Sequence, residues 1–242
     1  MKRLVFSLLM IFALFAPTRV LGVQKVPILV YHSIDAFNGH GSRELYVTPE
    51  NFLKQILYLK NHGYTLLTFE NWQDINKVEK PVFITIDDGY KNNENVFAIF
   101  QKVKDERFNP RATLFVISDF IGKQNRLSKL ELKRMVDSGM FSIQSHTATH
   151  LDLTKNPDFE NELKGSKEKI QKITGRPVIA LSYPYGNYNN RVISETKKYY
   201  QFGLTTTPSL FSKKGIENEN FFLPRIYVKY STTLDDFANI VK

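Results

Sequence analysis

PVFITIDDGY, residues 81–90, is the stretch from which the rest of the chain can be ordered. Val82, Phe83, Ile84 and Ile86 form a short apolar run bounded by Pro81 in front and Gly89 behind, the signature of a buried strand. The strand hands two consecutive carboxylates, Asp87 and Asp88, to the turn that Gly89 permits. Taken alone, Asp-Asp-Gly reads as an ordinary turn, since both residue types favour turns. A desolvated carboxylate, however, needs a partner or a metal to offset its charge. Residues further along the chain provide the reason to prefer that second reading.

Outward from this strand the pattern alternates. On the N-terminal side, VPILVY (26–31) predicts a strand running into His32, followed by a Gly-containing loop over 35–46. Thr48-Pro49-Glu50 opens a helix with Thr as cap and Pro at the first position, and Gly63 closes it. On the C-terminal side, helices are predicted around 96–103, 128–138, 163–173, 191–199 and 234–241. Strands are predicted at 112–117, 141–145, 178–183, 202–205 and 223–228. Ser128 and Glu131 form a capping box. Six or seven strand–helix units with short links imply a parallel sheet, either doubly wound or closed into a barrel. No Gly-rich dinucleotide or P-loop fingerprint follows any strand, which favours the barrel. Barrel chemistry sits where strands end, at the C-terminal face.

Composition narrows the function classes. The 242 residues suit one large domain, and 42% hydrophobic content with 19 Phe supplies a core. Cysteine is absent, which removes disulfides, thiol nucleophiles, zinc fingers and a lipoprotein anchor. Met1-Lys2-Arg3 followed by an apolar run over 4–16 has the anatomy of a secretion signal, too short for a comfortable membrane span. Residues 1–22 are therefore expected to be a signal peptide, or an uncleaved anchor, and 23–242 the exported catalytic domain. The net charge of +9 is scattered rather than clustered, so it suggests association with a cell surface and not nucleic-acid binding.

Four strand ends carry reactive groups: His32, Asp87 with Asp88, His146 with His150, and Tyr183-Pro184-Tyr185-Gly186. A parallel barrel would gather all four at one mouth. Two histidines four apart can face one way from a helical turn, and two imidazoles with one carboxylate make three metal ligands with a fourth position open. Aromatic residues that could stack on sugar rings include Tyr46, Trp72, Tyr90, Tyr185 and Tyr188, with core packing as the alternative for each.

TIDDG (85–89), HTATH (146–150) and YPYG (183–186) resemble, in order and spacing, the motifs of the polysaccharide deacetylases, carbohydrate esterase family 4 with its NodB-homology domain. The resemblance covers roughly 26–226. It implies a distorted (β/α)7 barrel in which Asp87 is the general base, Asp88, His146 and His150 bind the metal, and the Tyr185 backbone N–H helps hold an oxyanion. Two departures stand out. Ser182 occupies the place of an Arg that orients the base in most members, and no histidine follows His150 to match the usual C-terminal acid. The circularly permuted subgroup that deacetylates poly-β-1,6-N-acetylglucosamine in biofilms differs in the same way. LVYHSI (29–34) and LPRI (223–226) look like that subgroup, which implies His32 as the acid and Arg225 as the substitute beside Asp87.

The chemistry of amide hydrolysis agrees, because it needs carbonyl polarisation, a base for water and an acid for the departing amine. The expectations are thus a divalent metal, zinc first with cobalt, nickel or iron also accommodated, and a monomeric, secreted enzyme acting on an N-acetylglucosamine polymer. A peptidoglycan or chitooligosaccharide deacetylase and an inactive glycan-binding module are the competing readings. A serine esterase is disfavoured because no G-x-S-x-G elbow occurs.

Overall fold

The computed structural model describes residues 24–242, so the segment read as a signal or anchor lies outside the described residues. In chain order the elements are β1 (Ile28–Tyr31), β2 (Ser33–Ile34), β3 (Tyr46–Val47), α1 (Pro49–Asn61), β4 (Thr65–Leu67), β5 (Pro81–Ile86), α2 (Glu94–Val103) and β6 (Ala112–Val116). They continue with α3 (Lys129–Asp137), β7 (Phe141–Ser145), α4 (Ser166–Thr174), β8 (Ala180–Ser182), α5 (Asn190–Lys197), β9 (Phe202–Leu204), β10 (Ile226–Tyr227) and α6 (Leu234–Val241). Local chemistry sets several of these ends. Thr48 accepts the Asn51 N–H at the start of α1, and Ser128 and Glu131 make both bonds of the capping box of α3.

The main sheet is parallel, in the order β10-β1-β5-β6-β7-β8-β9. A bridge from Leu204 to Leu223 returns β9 to the segment leading into β10, so seven strands run round the ring. The barrel is distorted where β4 pairs with the first half of β5 and β6 with the second half. This is the expected distorted (β/α)7 architecture, and the last strand lies beside the first, as in the permuted form.

Strand periodicity sorts the side chains. Leu29, Tyr31, Ile84, Ile86, Leu114 and Val116 belong to the core between sheet and helices, while Ile28, Phe83, Phe115, Phe202 and Leu204 fill the barrel. Burying each such side chain contributes roughly 1.5–3 kcal/mol. Trp72 joins the inner cluster, with ring centroids 5.0 Å from Phe202 and Phe211 and 5.5 Å from Phe83. It closes the end of the barrel where strands begin, away from the mouth, which removes it from the aromatic residues expected to meet sugar there.

Two predicted strands are shorter than their apolar patterns. At β8 only Ser145 and Leu181 are backbone partners across to β7, and the buried Gln144 side chain substitutes lower down, its Oε1 accepting the Ile179 and Ala180 N–H groups at 2.7 and 2.9 Å. The strand expected over 223–228 splits: Leu223 pairs with β9, Ile226 and Tyr227 pair with β1, and Pro224-Arg225 lies between.

Candidate active site

Register brings the site together. β1 and β5 are paired up to Tyr31 and Ile86, so the next residues, His32 and Asp87, end neighbouring strands. The Asp87 N–H still donates to the Tyr31 carbonyl at 2.9 Å. His146 leaves β7 with its N–H on the Val116 carbonyl at 2.9 Å, and Ser182 ends β8 opposite Leu204. All four strand ends open on the same mouth.

Asp87 is 2% exposed, and Arg225 is wholly buried beside it. The guanidinium is bidentate: Nη1 donates to Oδ1 and Nη2 to Oδ2, each at 2.8 Å. Nε donates to the Thr205 carbonyl at 2.9 Å, Nη1 also to the Thr85 hydroxyl, and Nη2 also to the Ser182 hydroxyl at 2.8 Å. Ser182 in turn donates to Asp87 Oδ2 at 3.0 Å. Burial would raise the Asp87 carboxyl, but the adjacent Arg225 charge and its hydrogen bonds outweigh it and hold the group well below the usual carboxylate range. The place that Ser182 leaves just before the YPYG motif is therefore filled from the segment leading into β10, 138 positions away in sequence from Asp87.

Asp88, His146 and His150 form the one cluster of potential metal ligands among the described residues, with donor atoms within 4.8 Å of one another. Both histidine Nε2 atoms lie 3.7 Å from Asp88 Oδ1. Ligands at zinc distances around a tetrahedral ion are separated by about 3.4 Å, so the trio fits a small divalent cation with little adjustment. His146 Nδ1 is 2.8 Å from the Ser182 carbonyl, which leaves Nε2 to face Asp88. Burial, with His146 beside it, pushes His150 down to about 4, so its imidazole is neutral at neutral pH, as a ligand must be. The pair does not use a helical turn, contrary to the expectation. His146 ends a strand, and Thr147 and His150 both have left-handed backbone, with φ of 66° each. Asp88 (φ 75°) and Tyr185 (φ 61°) are left-handed too, so every motif holds a residue in a conformation that costs about 1–3 kcal/mol. At Asp88 the carbonyl accepts from Arg126 Nη1 at 2.6 Å, and the Arg126 guanidinium lies over the Tyr90 ring.

His32 is half-buried and stacks on Tyr227, rings 5.6 Å apart and within 3° of parallel. Burial pushes its imidazole below the ordinary value, opposed by the Asp87 and Asp88 carboxylates. Its carbonyl accepts from the buried Asn93 side chain at 2.7 Å. Tyr185 is 63% exposed, its ring 4.8 Å from that of His150, so the YPYG turn borders the ligand trio. A Cβ on Gly186 would come within 2.2 Å of the Thr206 hydroxyl, so this turn requires glycine both for its φ of 73° and for space. Sequence reasoning missed the hydroxyl of Ser182 as a partner of Asp87, Tyr227 as the face for His32 and Arg126 as the brace of the Asp88 turn. An arginine inside an apolar strand pattern was the available signal for the Arg225 contact. No comparable signal marked the others.

Known proteins are similar to this chain in sequence and fold. A family model described as polysaccharide deacetylase matches residues 74–203, more than half of the chain, and spans Asp87, His146 and the YPYG turn. The crystal structure of BC0361, a polysaccharide deacetylase from Bacillus cereus, superposes with a TM-score of 0.90 at 53% identity, covering 91% of this chain and 70% of that one. YxkH of Bacillus subtilis strain 168, assigned to the polysaccharide deacetylases, is 33% identical over 198 residues, 78% of this chain and 67% of its own length. The poly-β-1,6-N-acetyl-D-glucosamine N-deacetylase of Staphylococcus aureus strain MRSA252 is 28% identical over 217 residues, 81% of this chain and 71% of its own length. His32 and Arg225 fall outside the matched 74–203, one just after β1 and the other just before β10, and β1 lies between β10 and β5 in the sheet. With motifs, barrel and relatives in agreement, the chain belongs to the polysaccharide deacetylase family.

Proposed function

We propose that this chain is a metal-dependent N-deacetylase that removes acetyl groups from N-acetylglucosamine units of an extracellular polysaccharide, poly-β-1,6-N-acetylglucosamine. The observation that carries the proposal is the division of labour at the mouth. A carboxylate held ionised by Arg225 and an imidazole on the next strand flank three converging metal ligands.

A divalent cation held by Asp88, His146 and His150, zinc in the first instance, would supply Lewis acidity toward the acetyl carbonyl and toward water. The chain's own groups perform the rest. Asp87, outside the ligand trio and fixed through both oxygens, accepts the proton of the water that adds to the acyl carbon. The Tyr185 backbone N–H, on the turn bordering the trio, is the candidate donor to the oxygen that gains charge. His32 gives a proton to the nitrogen as the C–N bond breaks, releasing acetate and a free amine. Burial on balance lowers the His32 imidazole, and the carboxylates of Asp87 and Asp88 oppose that shift without reversing it.

The β-1,6 linkage is favoured by the histidine on the first strand and the LPRI segment, together with similarity to the staphylococcal enzyme. Export is favoured by the basic and apolar N-terminal segment, and surface association by the net charge of +9. Every group named comes from one chain, so a monomer suffices. The test is acetate release by metal-loaded protein from β-1,6-linked and β-1,4-linked N-acetylglucosamine oligomers and from peptidoglycan. Preferential release from the β-1,6 oligomers is expected. Preference for either other substrate would overturn the assignment, and binding without release from any would favour a glycan-binding module.

A further inference from the structure

Glu162 is a buried carboxylate outside the chemistry above, 2% exposed, in a π-helical turn (Glu160–Gly165) that leads into α4. Its Oε2 accepts the backbone N–H groups of Ala148 and Thr149 at 3.0 and 2.9 Å, and Oε1 accepts the Thr149 hydroxyl at 2.6 Å. Among the described residues no Lys or Arg pairs with it. The loop it holds is the one between His146 and His150. Ser166, four residues on, adds a second contact to the same loop, its hydroxyl 2.9 Å from that of Ser145, which accepts the Thr147 N–H at 3.1 Å. π turns inside α-helices are often found at functional sites, where they re-aim side chains.

The loop is also held from the other side, the Thr147 and Ala148 carbonyls accepting the Ser118 and Asp119 N–H groups at 3.0 Å each, and its own N–H groups are all accounted for. Thr147 N–H goes to Ser145, Ala148 and Thr149 N–H go to Glu162, and His150 N–H goes to the Thr147 hydroxyl at 3.0 Å. Glu162 thus satisfies half of the amides between the two histidines. Thr147, fully buried and β-branched, has φ of 66°, a conformation such residues avoid unless the surroundings impose it. Ala148 is 1% exposed, so its N–H has no ready access to water if Glu162 is removed.

We propose that Glu162 is the positioning residue of the ligand loop. By holding Ala148 and Thr149 it keeps His146 and His150 turned toward Asp88, and so sets how tightly the trio takes a divalent cation, while touching neither cation nor substrate. The proposal rests on the reading of that trio as a metal centre. What matters is reach and acceptor geometry, not charge. Gln at 162 keeps one oxygen for the two backbone amides, and its NH2 meets the Thr149 hydroxyl, which can rotate to accept. Asp keeps the charge but is one methylene short. Met has no comparable acceptor.

The experiment compares wild type with Glu162→Gln, Glu162→Asp and Glu162→Met in two measurements. These are the dissociation constant for Zn2+ at neutral pH, and amide hydrogen exchange at Ala148 and Thr149 in metal-free protein. Glu162→Gln should bind within about threefold of wild type, while Glu162→Asp and Glu162→Met should bind about 10- to 100-fold more weakly, the usual cost of losing a group that orients metal ligands. The two amides should lose protection in the Asp and Met variants, with exchange in β5 and β6 unchanged. If Glu162→Met does not fold, the contrast between Gln and Asp decides. Equal affinity in all variants, or a Gln variant weaker than Asp, overturns the proposal. If wild-type protein takes up no Zn2+, the metal-centre reading falls, and the exchange of the two amides alone judges whether Glu162 holds the loop.

Discussion

Replacing Arg225 by Met isolates what the buried ion pair does. Met fills a similar linear volume but removes the donors to Asp87, Ser182, Thr85 and the Thr205 carbonyl. Asp87, 2% exposed, is then a buried carboxylate without a cation. Breaking such a pair from one side costs about 3–5 kcal/mol. In a domain of this size each kcal/mol corresponds to about 2–4 °C in Tm, so Arg225→Met should melt about 6–20 °C below wild type at pH 7. The pH dependence carries a sign. In the wild type, the folded Asp87 carboxyl lies below its unfolded value, so its stabilisation is fully present above about 3.9 and is lost as pH falls toward the folded value. In Arg225→Met the main force against burial is gone, leaving the neighbouring histidines and the Ser182 hydroxyl, so the folded value should rise above the unfolded one and the carboxylate should destabilise at pH 7. The Tm gap should therefore narrow between pH 7 and pH 4, and the acid limb of the deacetylation rate should move up by about 1–3 units. Adding Asp87→Asn to Arg225→Met removes the unpaired charge and should recover most of the lost Tm. Thermal denaturation of metal-free protein, followed by circular dichroism at several pH values, reads all of this. A gap that does not change with pH, and is not relieved by Asp87→Asn, would show that the ion pair is not the cause.

The two acids are expected to part company on mutation: Asp87→Asn should keep stoichiometric metal by elemental analysis yet lose on the order of 10²- to 10⁴-fold in rate, whereas His146→Ala should lose metal and activity together. Loss of metal in Asp87→Asn would reverse the roles of Asp87 and Asp88. His32→Ala should fold, retain metal and hydrolyse acetamides very slowly, while activated acetate esters, which need less help at the leaving group, suffer much less. Equal impairment on both substrates would make His32 structural.

Legibility from sequence followed the range of the interactions concerned. The start of α1 at Pro49, the capping box of α3 and the apolar run of β5 depend on residues within a few positions of one another, and the structure contains all three. The site motifs were legible for a related reason: in a parallel barrel every strand ends at the same mouth, so Asp87, His146 and Tyr183 are brought together by strand order alone. The strand over 178–183 was overestimated because its apolar character reflects burial, while its backbone partners depend on Gln144 in another strand.

The sequence by itself determined the alternation of strands and helices, the four reactive strand ends and the family to which they point. Only the tertiary structure decided that Arg225 takes both oxygens of Asp87, that Glu162 holds the loop between the histidines, that this loop is left-handed and not helical, and that Trp72 closes the far end of the barrel. Backbone preference and side-chain periodicity are written within a few residues, and so can be read from them. The partner of a buried charge is set by which distant strands become neighbours and in what register, a property of the closed barrel that no local stretch contains.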